Sequence, residues 1–528
     1  MENKKTKIIS IGAVVALALT VITATYAYFN AQVGDPAAAD IKVNANTVDT
    51  FTFSNGNAIS FSINQDNFAS GKGNQTGSTY ASATLTANNK TNTATEHYYL
   101  YLNIEDNTFT YSINENTPEI IMTVTDSAGT EITDISTLTH VIVTGANGTQ
   151  VSGYDITNKS GLITLFNNRE ITTTSSKEEK WNITITFVNY DENQNANAGK
   201  SMSAKVMIQK EVIPQVVSDV CSNGTNLATC ITTLANKSIP SATNIYHHDS
   251  SLSNGAGDNS YRYAGASDVV NNFVCFGSNE STCPTDNLYR IIGVFGNNVK
   301  LIKYDYGTTD ELGTDGDYRK TYKEWGMNST YKGTYGDGER IGVYYWNNTT
   351  QTNTWSESLL NKTNLNTNFI NNIGEEWANK IATTTWKVGG NTYSNIYSKT
   401  PSVVYQNEIV NPVTTNTTDN AIEYTAKIGL MYVSDYGFAA EPSAWTLTMG
   451  SYNNTTATST NWMYMGLYEW TISRSADRSY RAFRVDGDGL VNYFDVRNYY
   501  AVRPSFNLES SITYVSGSGS ASDPMVIN

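Results

Sequence analysis

From Ile41 to Val212 apolar and polar side chains alternate in short runs. "HYYLYLNIE" (His97 to Glu105), "EIIMTVTD" (Glu119 to Asp126) and "KWNITITFVNY" (Lys180 to Tyr190) keep the alternation over most of their length. A period of two puts the apolar side chains on one face of a half-buried strand. Turn-rich pieces, "NQTGS", "DSAGT" and "TGANG", separate these runs. The spacing predicts an all-β sandwich over residues 38–212. Its end, "NYDENQNANAGKSMSAKVMIQKEV", reads as a loop followed by a closing strand.

The pattern then changes. Glu211 to Asn244, "EVIPQVVSDVCSNGTNLATCITTLANKSIPSATN", has prolines near both ends around Leu227, Ile231 and Leu234. Spacings of four and three predict a short helix within a connector over residues 213–244. Beyond it, "NLYRIIGVFGNNVKLIKYDYG" reads as two strands joined by a Gly296-Asn297-Asn298 turn. Leu359, Leu360, Leu365, Phe369, Ile370, Ile373, Trp377 and Ile381 give the best helical spacing, with a break near Gly374. Strand signals resume at "KIGLMYVSDYGF", so residues 245–528 are expected to be α+β.

At 528 residues the chain exceeds what one core organises, and two or three domains are expected. A net charge of −15 argues against nucleic acid as a partner, because nonspecific phosphate binding needs many cations. Lys4, Lys5 and Lys7 precede an apolar run from Ile8 to Ile22, with small residues at Thr25 and Ala27. Residues 1–27 therefore read as an export signal or, if retained, a membrane anchor, and the rest of the chain lies outside the membrane. Cys221, Cys230, Cys275 and Cys283 allow three pairings, of which two local loops, Cys221 with Cys230 and Cys275 with Cys283, are the simplest.

One stretch departs from the rest. Arg474 to Leu508 contains no Lys, Glu, Gln, Met or Trp, although these types fill 74 of the 528 positions, and about five would be expected in a window that long. Six of the eleven arginines lie between Arg474 and Arg503. Tyrosine and phenylalanine give large contact areas for few lost rotamers, arginine gives a planar fork of donors, and Asn, Ser and Asp adapt to many partners. The mixture describes a binding face. Ala482, Val485, Val491, Val496 and Val502 are expected to fix a ribbon to the core, with Arg478, Tyr480, Arg481, Phe483, Arg484, Tyr493, Phe494, Arg497, Asn498, Tyr499 and Tyr500 turned outward. Ser479, Asp486, Asp488, Asn492 and Asp495 complete the expected ligand-binding set, and Arg503 is assigned to the structure.

The same stretch resembles the variable region of proteins diversified by retroelements. Trp470 and Arg474 open it, Ala482, Val485, Gly489, Val491 and Val496 punctuate it, and Ala501-Val502-Arg503-Pro504 close it before "SFNL". Ala501 stands where that group carries glycine. The missing residue types are those that codons ending in a pyrimidine cannot encode. The likeness reaches back to Tyr261 and implies a C-type-lectin-like domain over 245–528. Separately, the leader ending "TATYAYF", the "YLYLNI" strand and the "WNITITFVNYDENQNANAGKSMSAKV" ending resemble camelysin-like biofilm-fibre subunits of Gram-positive bacteria, which implies a jelly-roll-like first domain. Together these resemblances imply a multidomain extracellular protein on a Gram-positive-type cell surface. Its ligand would be a protein, a glycan or a phage surface, with self-association through the first domain. The alternative is a structural fibre or matrix subunit.

Enzyme chemistry finds no footing. His97 and His140 lie outside any HExxH pattern, and no GxSxG, Walker or GxGxxG context is present. Formylglycine-generating enzymes share the lectin-like fold but use late cysteines, and none follows Cys283. "DGDG" at Asp486 to Gly489 lacks the remaining ligands of a calcium loop and reads as a hairpin turn. Glu441-Pro442-Ser443 falls short of a sugar-binding EPN motif, and His247-His248 reads as a solvated turn. No cofactor, metal or catalytic residue is expected.

Overall fold

The computed structural model describes residues 49–63, 72–88, 92–135, 138–326, 331–336, 338–412 and 422–528. The expected leader, residues 1–27, lies outside them. The chain divides between Ile213 and Pro214 into two units.

Ten strands build the first unit: β1 (Thr50–Asn55), β2 (Ile59–Ser62), β3 (Gln75–Thr86), β4 (Ala94–Asn107), β5 (Ile120–Thr125), β6 (His140–Thr144), β7 (Gln150–Asp155), β8 (Gly161–Thr173), β9 (Ser176–Phe187) and β10 (Ser201–Gln209). They form two antiparallel sheets, in the orders β1-β3-β9-β5-β7-β6 and β2-β10-β4-β8. Inward residues follow the period of two: Tyr98, Leu100, Leu102 and Ile104 on β4; Trp181, Ile183, Ile185 and Phe187 on β9; Met202, Ala204, Val206 and Ile208 on β10. This is the β-sandwich that the alternation predicts.

Polar groups inside the sandwich are matched. The Tyr98 hydroxyl donates to Glu179 Oε2 (2.7 Å) and accepts from Trp181 Nε1 (2.8 Å), while Arg169 Nε donates to the same carboxylate (2.9 Å). Burial works to raise the Glu179 carboxyl, but the hydrogen bonds from Tyr98, Lys177 and Arg169 prevail and hold it below the usual range. Glu119 is buried and accepts from the Ser112 hydroxyl (2.8 Å), Gln194 Nε2 (2.8 Å) and Asn197 Nδ2 (2.8 Å), tying two loops to the start of β5.

The second unit is organised by an antiparallel sheet whose strands run in the order Ile245–His248, Ser260–Tyr263, Leu288–Phe295, Asn298–Lys303, Ser505–Asn507 and Ile428–Gly429, with Phe273–Cys275 pairing beside Leu288–Phe295. The Leu288–Phe295 and Asn298–Lys303 hairpin turns at Gly296, whose φ of +61° favours glycine. The expected helix forms over Leu227–Lys237, capped by the Asn226 side chain, which accepts from Thr229 N–H (3.1 Å). It is not a free connector. Leu227, Ile231 and Leu234 are buried in the same core as Val294, Val299 and Phe506, and Leu227 N–H donates to Ile512 O (2.9 Å).

The disulfides are Cys221–Cys230 and Cys275–Cys283, the two local loops. Such bridges are characteristic of extracellular proteins. Among the described residues no helix is long and apolar enough to cross a membrane.

The helical stretch runs Leu360–Phe369, Ile370–Ile373 and Glu375–Ala378, broken at Gly374 with φ +80°. Two local expectations are corrected. "VSDYGF" is a helix, Val433–Phe438, not a strand, because the Asp435 carboxylate accepts Tyr432 N–H (3.0 Å) and closes the first turn. The two histidines end a strand. His248 is fully buried, its Nδ1 accepting Ala256 N–H (3.0 Å), and burial pushes its imidazole down to about 2.

Candidate functional site

The Arg474–Leu508 stretch is built on a three-stranded antiparallel sheet of Glu469–Arg474, Arg481–Val485 and Val491–Asp495. Arg481 pairs with Asp495, Phe483 with Tyr493 and Val485 with Val491. Asp486 to Gly489 is the hairpin turn expected of it: Asp486 N–H donates to Leu490 O (2.8 Å) and Gly489 N–H to Asp486 O (2.9 Å). Gly489 has φ +99°, and a Cβ there would come within 2.7 Å of Thr458 Cγ2, so the position needs glycine. Tyr499–Tyr500 then pairs with Gly342–Tyr345, and Ser505–Asn507 returns to the large sheet.

Ala482, Val485, Val491, Val496 and Val502 are all buried, as a fixed frame requires. Trp470 is buried beside them and donates Nε1–H to Tyr344 O (3.0 Å). Arg503 is buried and forms a two-pronged pair with Glu469 (2.8 and 2.9 Å), spending a further N–H on Met463 O (2.7 Å). Its structural assignment therefore has a physical basis.

The outward set divides three ways. Arg478, Tyr480, Asp488 and Arg497 are exposed. Ser479, Arg481, Asn492, Tyr493, Phe494, Asp495, Asn498 and Tyr499 are half-buried. Phe483, Arg484, Asp486 and Tyr500 are buried, against expectation. The reason is that Arg481–Val485 is the middle strand of its sheet and is covered on both faces. Phe483 enters the main hydrophobic core. On the opposite face the Arg484 guanidinium lies 3.7 Å from the Phe494 ring centre, 4.2 Å from that of Tyr500 and 4.4 Å from that of Tyr468, while its Nε donates to Asp486 (2.5 Å). An aromatic cage with an ion pair satisfies a buried arginine that alternation alone would send into water. Burial raises the Asp486 carboxyl, against the pull of Arg484.

The half-buried residues are held at defined positions. Arg497 grips Asp495 with two bonds (2.8 and 2.7 Å), and these keep that carboxyl below its usual range. The Arg481 guanidinium lies 4.5 Å from the Tyr493 ring. Tyr499 sits among Trp325, Tyr345 (both 5.5 Å between ring centres), Lys320 and Arg319.

Trp325, Tyr345 and Tyr468 are half-buried parts of this aromatic face, and Tyr393 stacks on Tyr493 at 4.3 Å. The sequence reading missed Trp325, Tyr345 and Tyr393 because they come from distant segments and carry no local pattern, and Tyr468 because it lies just ahead of Trp470, where the stretch opens. It also missed Asn353. This buried amide donates to Ser475 O (2.9 Å), Arg478 O (3.0 Å) and Arg481 O (2.9 Å), and its N–H donates to Ser479 O (2.6 Å). The loop that displays Arg478 and Tyr480 is thus set from beneath by one residue.

Among the described residues no group of three or more His, Cys, Asp or Glu side chains is arranged to hold a metal ion. Glu441-Pro442-Ser443 opens a short turn in which the Ser443 hydroxyl bonds the Glu441 carboxylate. No protein-family model, curated protein or solved structure matches this chain.

Proposed function

We propose that the chain is an extracellular binding protein whose second unit, a C-type-lectin-like domain, presents a diversifiable ligand face, while the first unit, a jelly-roll-like sandwich, serves as its carrier. One observation carries the reading. Within a single segment the small aliphatic residues Ala482, Val485, Val491 and Val496 are buried, whereas Arg478, Tyr480, Arg481, Tyr493, Phe494, Arg497 and Tyr499 reach the surface at least in part. A fixed frame with large rigid side chains on it suits recognition without catalysis. The half-exposed Trp325, Tyr345 and Tyr468 extend the face beyond the segment and would supply its constant part. The ligand is a protein, glycan or phage surface bound at equilibrium. Sequencing of sibling cells tests this. Substitutions should gather at the surface positions and spare Ala482, Val485, Gly489, Val491 and Val496, and the neighbouring DNA should encode a reverse transcriptase and a near-copy of the segment. Evenly scattered changes would count against it.

A fibre subunit is the second reading, favoured by β6. That strand, "HVIVT", stands last in the order of its sheet and leaves Ile142 65% exposed with no charged or proline guard. Purified protein should then form filaments that Ile142→Lys abolishes.

A further inference from the structure

Three ionisable side chains meet inside the second unit. Lys300 belongs to the Asn298–Lys303 strand, Asp435 to the Val433–Phe438 helix and Glu408 to a helical turn, Gln406–Val410. All three are buried. Lys300 Nζ is 2.5 Å from Asp435 Oδ2 and lies over the rings of Tyr432 (4.4 Å), Trp386 (5.4 Å) and Phe295 (5.8 Å). Glu408 accepts the N–H groups of Val433 (3.2 Å) and Ser434 (3.1 Å) and the Ser473 hydroxyl, and Asp435 Oδ2 accepts the backbone N–H of Tyr432 (3.0 Å). The two carboxyl groups therefore bind consecutive backbone amides. Arg262 Nη1 stands 3.7 Å from Asp435 Oδ1, while its Nη2 is engaged by Asp258 (2.6 Å).

An ion pair taken this far from water gains little stability over an apolar packing. An amine held against a carboxyl group in a dry aromatic pocket is, however, well placed to react, since fixed geometry replaces a high reactant concentration. We propose that Lys300 and Asp435 condense into an intramolecular isopeptide bond, with Glu408 carrying the proton between them. The Nζ–Cγ bond forms and the Cγ–Oδ2 bond breaks. Two of the three ammonium protons leave with Oδ2 as water, the first by way of Glu408, and the third stays on the amide. Arg262, beside Oδ1, balances the charge that gathers there as nitrogen attacks. Burial lowers the Lys300 ammonium, which favours the free amine, and raises the Glu408 carboxyl to about 7, which lets it hold a proton at neutral pH. Glu408 interacts electrostatically with both reacting groups. The product would join the sheet to a helix 135 residues along the chain.

Mass spectrometry of the whole purified chain, reduced, unfolded and kept beforehand for several days at neutral pH, decides the matter. The mass, calculated from the N-terminus found by sequencing, should be low by one water, and digestion should give a branched peptide joining Lys300 to Asp435. Glu408→Gln, close in shape, should fold with unchanged circular dichroism yet keep the full mass, as should Lys300→Arg. A wild-type chain of full mass, with Lys300 and Asp435 recovered in separate linear peptides, would overturn the bond and leave an ion pair. Equal cross-linking in Glu408→Gln would overturn the role given to that residue.

Discussion

Strand β4 of the first unit and the Arg481–Val485 strand of the second treat their side chains differently. On β4 every second residue, Tyr98, Leu100, Leu102 and Ile104, points into the sandwich, as expected when a sheet has one face toward the core, and of the residues between them only Tyr101 is buried, its hydroxyl accepting Ile213 N–H (3.1 Å). In Arg481–Val485 four consecutive residues, Ala482 to Val485, are buried, one of them an arginine. Alternation tells which way a side chain points. It does not tell whether water waits on the other side. Where a second layer covers the sheet, the polar half of the pattern is enclosed and must be matched by rings and carboxylates, as around Arg484.

That contrast can be broken or sharpened by measurement. Arg503→Ala should be the most damaging change, because it leaves Glu469 buried without its partner; we expect a loss of about 3–5 kcal/mol in urea unfolding of the second unit. A smaller loss would mean that water reaches the pair. Two carboxyl groups, one in each unit, should also answer acid in opposite ways. Burial raises Glu408 to about 7, so its contribution is present in full below the unfolded value of about 4.3 and is lost as pH rises through 7, of order 3 kcal/mol in all. Glu179 is lowered, so its contribution is present above the unfolded value and is lost as pH falls. Unfolding midpoints across pH 2 to 8 for wild type, Glu408→Gln and Glu179→Gln check both signs.

Asn353→Ala should cost about 2 kcal/mol by taking a side-chain donor from the carbonyls of Ser475, Arg478 and Arg481, and should speed amide exchange over Ser475–Arg481. In the first unit, Tyr98→Phe removes a hydroxyl bonded to Glu179 and Trp181 and should cost about 1–2 kcal/mol in thermal unfolding. Arg497→Ala and Tyr480→Ala should each leave the unfolding midpoint nearly unchanged, as exposed positions do. A large effect from either would place it in the frame and remove it from the face.

The sandwich was legible because its strands are long and have one wet face, so "YLYLNI" and "WNITITF" declare both element and orientation. The two disulfides were legible from short spacing. In the second unit the hairpin at Gly296, the helix break at Gly374 and the aliphatic frame of the 474–503 segment could also be read. Arg484, Asp486, Phe483 and Tyr500 could not, because their burial depends on Tyr468 and on strands that meet them only in the fold. Val433–Phe438 reads as strand in the sequence because its helical turn depends on one carboxylate, Asp435, and six residues are too few to show a period. Trp325 and Asn353 reach the site from more than a hundred residues away, beyond any local pattern.

The Asn353 Nδ2 donates to three main-chain oxygens. Such a grip is indifferent to what hangs from each Cα, so the path of the loop is decoupled from the identity of its side chains. Other side chains can stand at 478 and 480 with the chain following the same course.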